Sequence, residues 1–127
     1  MNIIRIYADD HGESHFADLE VPTQTVQMFP QVPPFRLNRF ATPRGVKLFA
    51  VPAEFDFADW HIAPERQLSI ALNGTVEYET SDGEVRRAPP GTIVLVEDTT
   101  GRGHITRFDP GEQGFLHIPV PDGWPET

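Results

Sequence analysis

Over the C-terminal two-thirds of the chain, apolar and polar positions alternate in short stretches, each ending in a turn signal. Val46 to Pro52 (VKLFAVP) is a short apolar run. Gln67 to Leu72 (QLSIAL) sets large apolar residues against small or polar ones, the period-2 pattern of a half-buried strand. Asn73-Gly74 then supplies a turn tolerant of positive φ. Thr75 to Thr80 (TVEYET) alternates again, Asp82-Gly83 is a hairpin signal, and Glu84 to Arg87 begins the return strand. Pro89-Pro90-Gly91 stops it. Thr92 to Val96 (TIVLV) reads as a fully apolar strand, followed by the polar loop EDTTGRG over 97–103. His104 to Phe108 is a further strand, and Asp109-Pro110-Gly111 turns the chain into a last one over Gly114 to Val120.

The first forty-five residues carry weaker patterns. Asn2 to Tyr7 and Phe16 to Val21 are expected as strands, and Gln31 to Pro43 as an extended, Pro-broken crossover. Short strands with turn signals every eight to twelve residues or so predict an all-β sandwich or barrel. The length of 127 residues fits a single domain over 1–127. Thirteen prolines, scattered from Pro22 to Pro125, exclude a helical bundle, because an interior Pro removes a donor and clashes with the preceding turn. With 39% of residues apolar, intrinsic disorder is not expected.

The formal net charge is −9, which disfavours nucleic-acid phosphate and anionic lipid as partners. The densest basic stretch holds Arg36, Arg39, Arg44 and Lys47, is interrupted by Pro43 and Gly45, and reads as loop and surface. There is no Cys, so disulfide frameworks, thiolate metal sites and cysteine nucleophiles drop out. The opening residues MNIIRIYADDHGESHF meet Arg5 and then Asp9 and Asp10 before any apolar core of signal-peptide length. No stretch approaches the ~20 apolar residues of a membrane helix. These features predict a cytoplasmic protein with neither a membrane nor a nucleic-acid partner.

The order of residues around two histidines carries most of the chemical information. It runs His61-x-Ala63-x-x-x-Gln67, then Gly74, then Pro90-Gly91, then His104. This order resembles the cupin superfamily, small β-barrels of jelly-roll type, over roughly Trp60 to Phe108 with further strands on either side. The resemblance implies a single-domain cupin-type jelly-roll barrel. On that comparison His61 matches the first metal ligand, Gln67 the carboxylate or amide position, Gly74 the closing Gly, Pro90-Gly91 the turn and His104 the last ligand. Ala63 stands where the family has a second His in its first motif, Gln67 replaces the commoner Glu, and the loop before His104 is about two residues longer than usual.

The resemblance thus implies a site of His61, Gln67 and His104 for a divalent transition metal such as Fe, Zn, Mn or Ni, with open positions for water or a small molecule. The alternative is a barrel without metal, in which the two histidines bond Gln67 and water. Glu97 and Asp98 end the apolar strand before His104. An inward Glu97 would be raised in pKa by burial and would serve, with His104, as a catalytic acid or base. Asp98 is expected in an Asx turn on the backbone of Thr100. Trp60 is expected at a rim, Arg66 away from the cavity, His11 and His15 in a surface loop, and His117 as a hydrogen-bonded core or interface histidine.

Three functions follow from this reading: a metal-dependent enzyme on a small organic molecule, a metal-free module that binds or senses a small molecule, and a metal-free acid–base isomerase or cyclase. The family resemblance also implies a homodimer, to which the apolar, Pro-rich stretch from Val26 to Phe40 would contribute.

Overall fold

The structure is a computed structural model and describes residues 2–27, 30–31, 33–38, 45–52 and 58–125. Among them are eleven strands and no helix. They are β1 (Asn2–Ala8), β2 (Ser14–Glu20), β3 (Gln24–Val26), β4 (Phe35–Leu37), β5 (Lys47–Val51), β6 (Gln67–Ala71), β7 (Val76–Thr80), β8 (Val85–Ala88), β9 (Ile93–Val96), β10 (His104–Phe108) and β11 (Gln113–Pro119). The protein is therefore all-β, as the alternating pattern predicts.

Six strands form one sheet in the order β2-β1-β9-β6-β11-β5, and β10-β7-β8 form a second. β1 runs parallel to β9, while the other pairings in these two sheets are antiparallel. β3 and β4 make a separate short ribbon. The expected crossover over 31–43 falls partly outside the described residues, as does the 26–40 stretch. Within the described part, Phe35 to Leu37 is paired with Gln24 to Val26 rather than merely extended.

The main core lies between the two sheets. Ile6, Phe16, Ala71, Val94, Val96 and Phe115 from the larger sheet meet Val76, Tyr78 and Ala88 from the smaller. A second apolar cluster covers the other face of the larger sheet, where Ile3, Leu68 and Leu95 pack with Val21, Val120 and Trp124. Central strands β6 and β9 are thus buried on both faces. This corrects the expectation that Gln67 to Leu72 is half-buried: the polar residues Gln67 and Ser69 are buried too, because they face the core side while the C-terminal segment covers Leu68.

The turns divide into two kinds. Asp82-Gly83 closes a true hairpin between β7 and β8, with Thr80 N–H donating to the Glu84 carbonyl. Asn73-Gly74 instead carries the chain from one sheet to the other, since β6 and β7 belong to different sheets. Gly74 has φ +74°, and a Cβ there would come within 2.2 Å of the Gln113 side chain, so both conformation and space demand Gly. No helix among the described residues is long and apolar enough to cross a membrane.

Candidate functional site

A cavity of about 350 Å³ opens between the two sheets. His61, Gln67 and His104 all line it, together with Ser69, Tyr78 and His117 and a largely apolar remainder. Strand alternation explains which side chains reach it. On β6, Gln67 and Ser69 point inward while Leu68 joins the outer cluster; on β11, His117 shares the inner face with Phe115.

Backbone pairing brings the two histidines together. His61 N–H donates to the His104 carbonyl (3.0 Å) and His104 N–H to the His61 carbonyl (2.9 Å), an isolated antiparallel bridge. Ala63 N–H donates to the Asp98 carbonyl at 3.0 Å, so the segment 61–63 is stitched along both ends of the 97–103 loop. Gly103 makes this approach feasible. Its φ is +78°, and a Cβ there would sit 2.0 Å from the His61 carbonyl oxygen. The Ser14 hydroxyl donates to the Gly103 carbonyl at 2.8 Å, tying the same point to β2. The imidazole rings of His61 and His104 end with centres 4.6 Å apart.

Both rings have one nitrogen already engaged. His61 Nδ1 lies 2.9 Å from the Asp59 carbonyl. A carbonyl can only accept, so Nδ1 carries the hydrogen and Nε2 presents its lone pair. His104 Nδ1 lies 2.6 Å from Asp98 Oδ2, in a contact where both side chains are almost wholly buried. A carboxylate accepting at Nδ1 again leaves Nε2 for the cavity. Gln67 is 4% exposed, and its Oε1 has no hydrogen-bond partner among the described residues. A buried acceptor without a partner costs about 1–3 kcal/mol; Asp98 Oδ1 and Gln113 Oε1 are in the same condition, and of the three residues only Gln67 lines the cavity.

The structure does not bring Glu97 to this group. Alternation places it on one face with Ile93 and Leu95, and that face is the outer one. There its carboxylate accepts from the guanidinium groups of Arg5 and Arg66. Arg66 also donates to the Pro121 carbonyl (3.0 Å) and that of Trp124, anchoring the C-terminal segment. The acid beside His104 is Asp98, which corrects its expected Asx turn: its side chain reaches the imidazole six residues on rather than the backbone of Thr100. Sequence reading missed this role because a loop aspartate two residues before a Gly-containing turn is ambiguous. The usable signal was spacing, since a loop of 97–103 returning to His104 must bring one of its acids close.

Of the remaining residues, His15 departs from its expected surface loop, because it lies on β2 paired with Tyr7. Trp60 is exposed, in keeping with a rim position, and Arg66 points away from the cavity. His11 is exposed, whereas His15 is clasped between Asp9 Oδ2 (2.7 Å from Nε2) and Asp82 Oδ2 (2.8 Å from Nδ1). The Asp9 hydrogen bond, with Asp82 adding to it against burial, holds His15 above its ordinary pKa. His117 lines the cavity with Phe49 and Phe115 against its ring. Burial, assisted by Lys47, pushes its pKa down. Tyr78 donates to Ser69 Oγ at 3.3 Å, and burial raises the pKa of its hydroxyl.

No group of three or more His, Cys, Asp or Glu side chains suited to a metal ion occurs among the described residues. The donor set on the wall is two imidazoles and one amide oxygen. No protein-family model matches the chain, nor does any curated protein sequence.

Proposed function

We propose that the chain is a small cupin-type jelly-roll protein whose inter-sheet cavity holds a divalent transition metal on His61, Gln67 and His104 and there processes a small organic molecule. One observation carries this reading: both imidazoles have Nδ1 turned to a protein acceptor, Asp59 carbonyl or Asp98 carboxylate, which leaves two Nε2 lone pairs in a cavity whose lining also includes Gln67, with its unpartnered amide oxygen. Metal-binding histidines are commonly oriented in this way by an acceptor behind them. Rings 4.6 Å apart are close enough to share one cation at the usual ~2.0–2.1 Å from each nitrogen. A neutral donor set of this kind suits Fe, Zn, Mn or Ni without strong selection among them.

When bound, such an ion supplies Lewis acidity toward a carbonyl or enolate oxygen. The protein's own contribution is positional. The Asp98–His104 contact fixes one ring, and the His61–His104 bridge fixes the spacing. The pairing of barrels into a homodimer belongs to the same reading, supported by the exposure of Leu48 on edge strand β5 and of Val46 just before it.

Elemental analysis of the purified chain beside His104→Ala tests the proposal. Near-stoichiometric transition metal in the parent, lost from the variant, is the expected result; equal metal content in both would overturn it. A second reading is favoured by the Asp98–His104 contact itself, which equally orients an imidazole as a general base. Turnover or ligand binding that persists unchanged in chelator would select that reading.

A further inference from the structure

The chain carries nineteen acidic against ten basic residues, yet the described lining of the cavity contains one Lys, three His and no carboxylate. Asp98 is close by but stands behind His104, and Glu65 reaches only the Lys47 ammonium, at 3.4 Å. A pocket whose charge runs against that of the whole molecule is a selective feature.

The positive side of the pocket has a definite layout. Strand register places Ser69, His117 and Lys47 side by side across β6, β11 and β5. This row leads from the Tyr78–Ser69 hydrogen bond deep in the core to Lys47, whose side chain is 55% exposed at the mouth. Beside it, Phe49 and Phe115 flank the His117 ring, with centres at 4.7 and 6.4 Å. The rest of the wall is mainly apolar, Val51 and Phe108 included. A volume of about 350 Å³ falls at the small end of the ~300–1,000 Å³ typical of ligand sites.

We propose that this cavity selects a small organic acid with an aromatic or branched apolar body, its carboxylate seated between Lys47 and His117 and its other end directed at His61 and His104. The inference deepens the reading of the cavity as a small-molecule site and does not depend on the metal. Lys47 meets the charge, exchanging Glu65 for the ligand carboxylate. His117, whose pKa burial and Lys47 push down, donates one N–H to the same carboxylate. The apolar body fills the space between the sheets.

The test is calorimetric titration of the full chain with phenylacetate, phenylpropanoate and 4-methylpentanoate, each beside its primary amide. At least one acid should bind about tenfold or more tighter than its amide, the worth of one hydrogen-bonded charge pair. Lys47→Gln should abolish that preference by weakening the acid, and Glu65→Gln should tighten the acid by removing a competitor. The His61→Ala/His104→Ala double variant, stripped of any metal, should keep the preference, which separates this inference from the metal reading. Equal affinity for acid and amide, a preference that survives Lys47→Gln, or no binding by any probe would overturn it.

Discussion

On the outer face of the six-stranded sheet, Glu97 is held by two guanidinium groups, and the apolar residues around it are sealed by Val120 and Trp124. On the inner face, Gln67 keeps an acceptor without a partner, and two histidines are oriented from behind with a nitrogen left over. The same strands build both faces, often from neighbouring residues such as Gln67 and Leu68. The contrast separates polar groups that complete the fold from polar groups that the fold holds ready for something else. Paired charges at a covered surface tie segments together, whereas a buried group short of a partner costs stability.

The largest effect should come from Gly103→Ala, which attacks the inner face through the backbone. A non-Gly residue at positive φ costs about 1–3 kcal/mol, and the new Cβ would also collide with the His61 carbonyl. Urea denaturation should show at least that loss, and metal binding should fall with it because the His61–His104 bridge is forced open. Retained metal affinity in this variant would break the link drawn between bridge and site.

Adjacent acids give the sharpest form of the comparison. Glu97→Gln removes the charge that Arg5 and Arg66 share, and should cost about 1–3 kcal/mol of stability with little change in metal affinity. Asp98→Asn should do the reverse, lowering metal affinity about 10–100-fold, as is usual for an acceptor behind a metal-binding histidine. Calorimetry and denaturation on both variants read the two effects separately. Exchange of the two outcomes would mean the faces have been assigned the wrong way round.

Gln67→Leu should leave stability within about 1 kcal/mol of the parent, since removing an unpartnered buried acceptor offsets the lost polar contacts. Metal retention should nonetheless drop. A loss of stability much larger than this would show that Gln67 supports the core rather than the site.

The smallest effects lie in pH dependence, where two histidines act with opposite sign. His15 gains a proton-stabilising partner in Asp9, so its native pKa is raised. Its contribution to stability is complete below the unfolded value of ~6.5 and is lost as pH rises through the native one. His117 is lowered by burial and by Lys47, so it stabilises above ~6.5 and opposes folding as pH falls through its native value. Proton NMR of the imidazole C–H signals should place the His15 midpoint above that of a free histidine and the His117 midpoint below it. His15→Gln should remove the alkaline part of the stability loss.

Most strands were legible because their alternation and turn residues agree. His104 to Phe108 is a strand with the bounds read from sequence, and the strands from Gln67 to Val96 shift by a residue or so. The six-stranded order was not legible, because pairing partners such as β1 and β9 are far apart in the chain and nothing local records them. The same limit explains Glu97. Period-2 reading puts Ile93, Leu95 and Glu97 on one face, but which face is inward depends on Val120 and Trp124 covering the other. The grouping of His61, Gln67 and His104 followed from motif order, whereas Asp98 behind His104 and Lys47 beside His117 required the fold.

The central claim is that His61 and His104 serve a single ion. Pulsed electron paramagnetic resonance of the chain loaded with one equivalent of Cu²⁺ counts the imidazoles on that ion through their remote nitrogens. Modulations from two equivalent imidazoles, reduced to one in either His61→Ala or His104→Ala, are the predicted result. A spectrum with one imidazole or none in the parent protein, or one unchanged by both substitutions, would contradict the account.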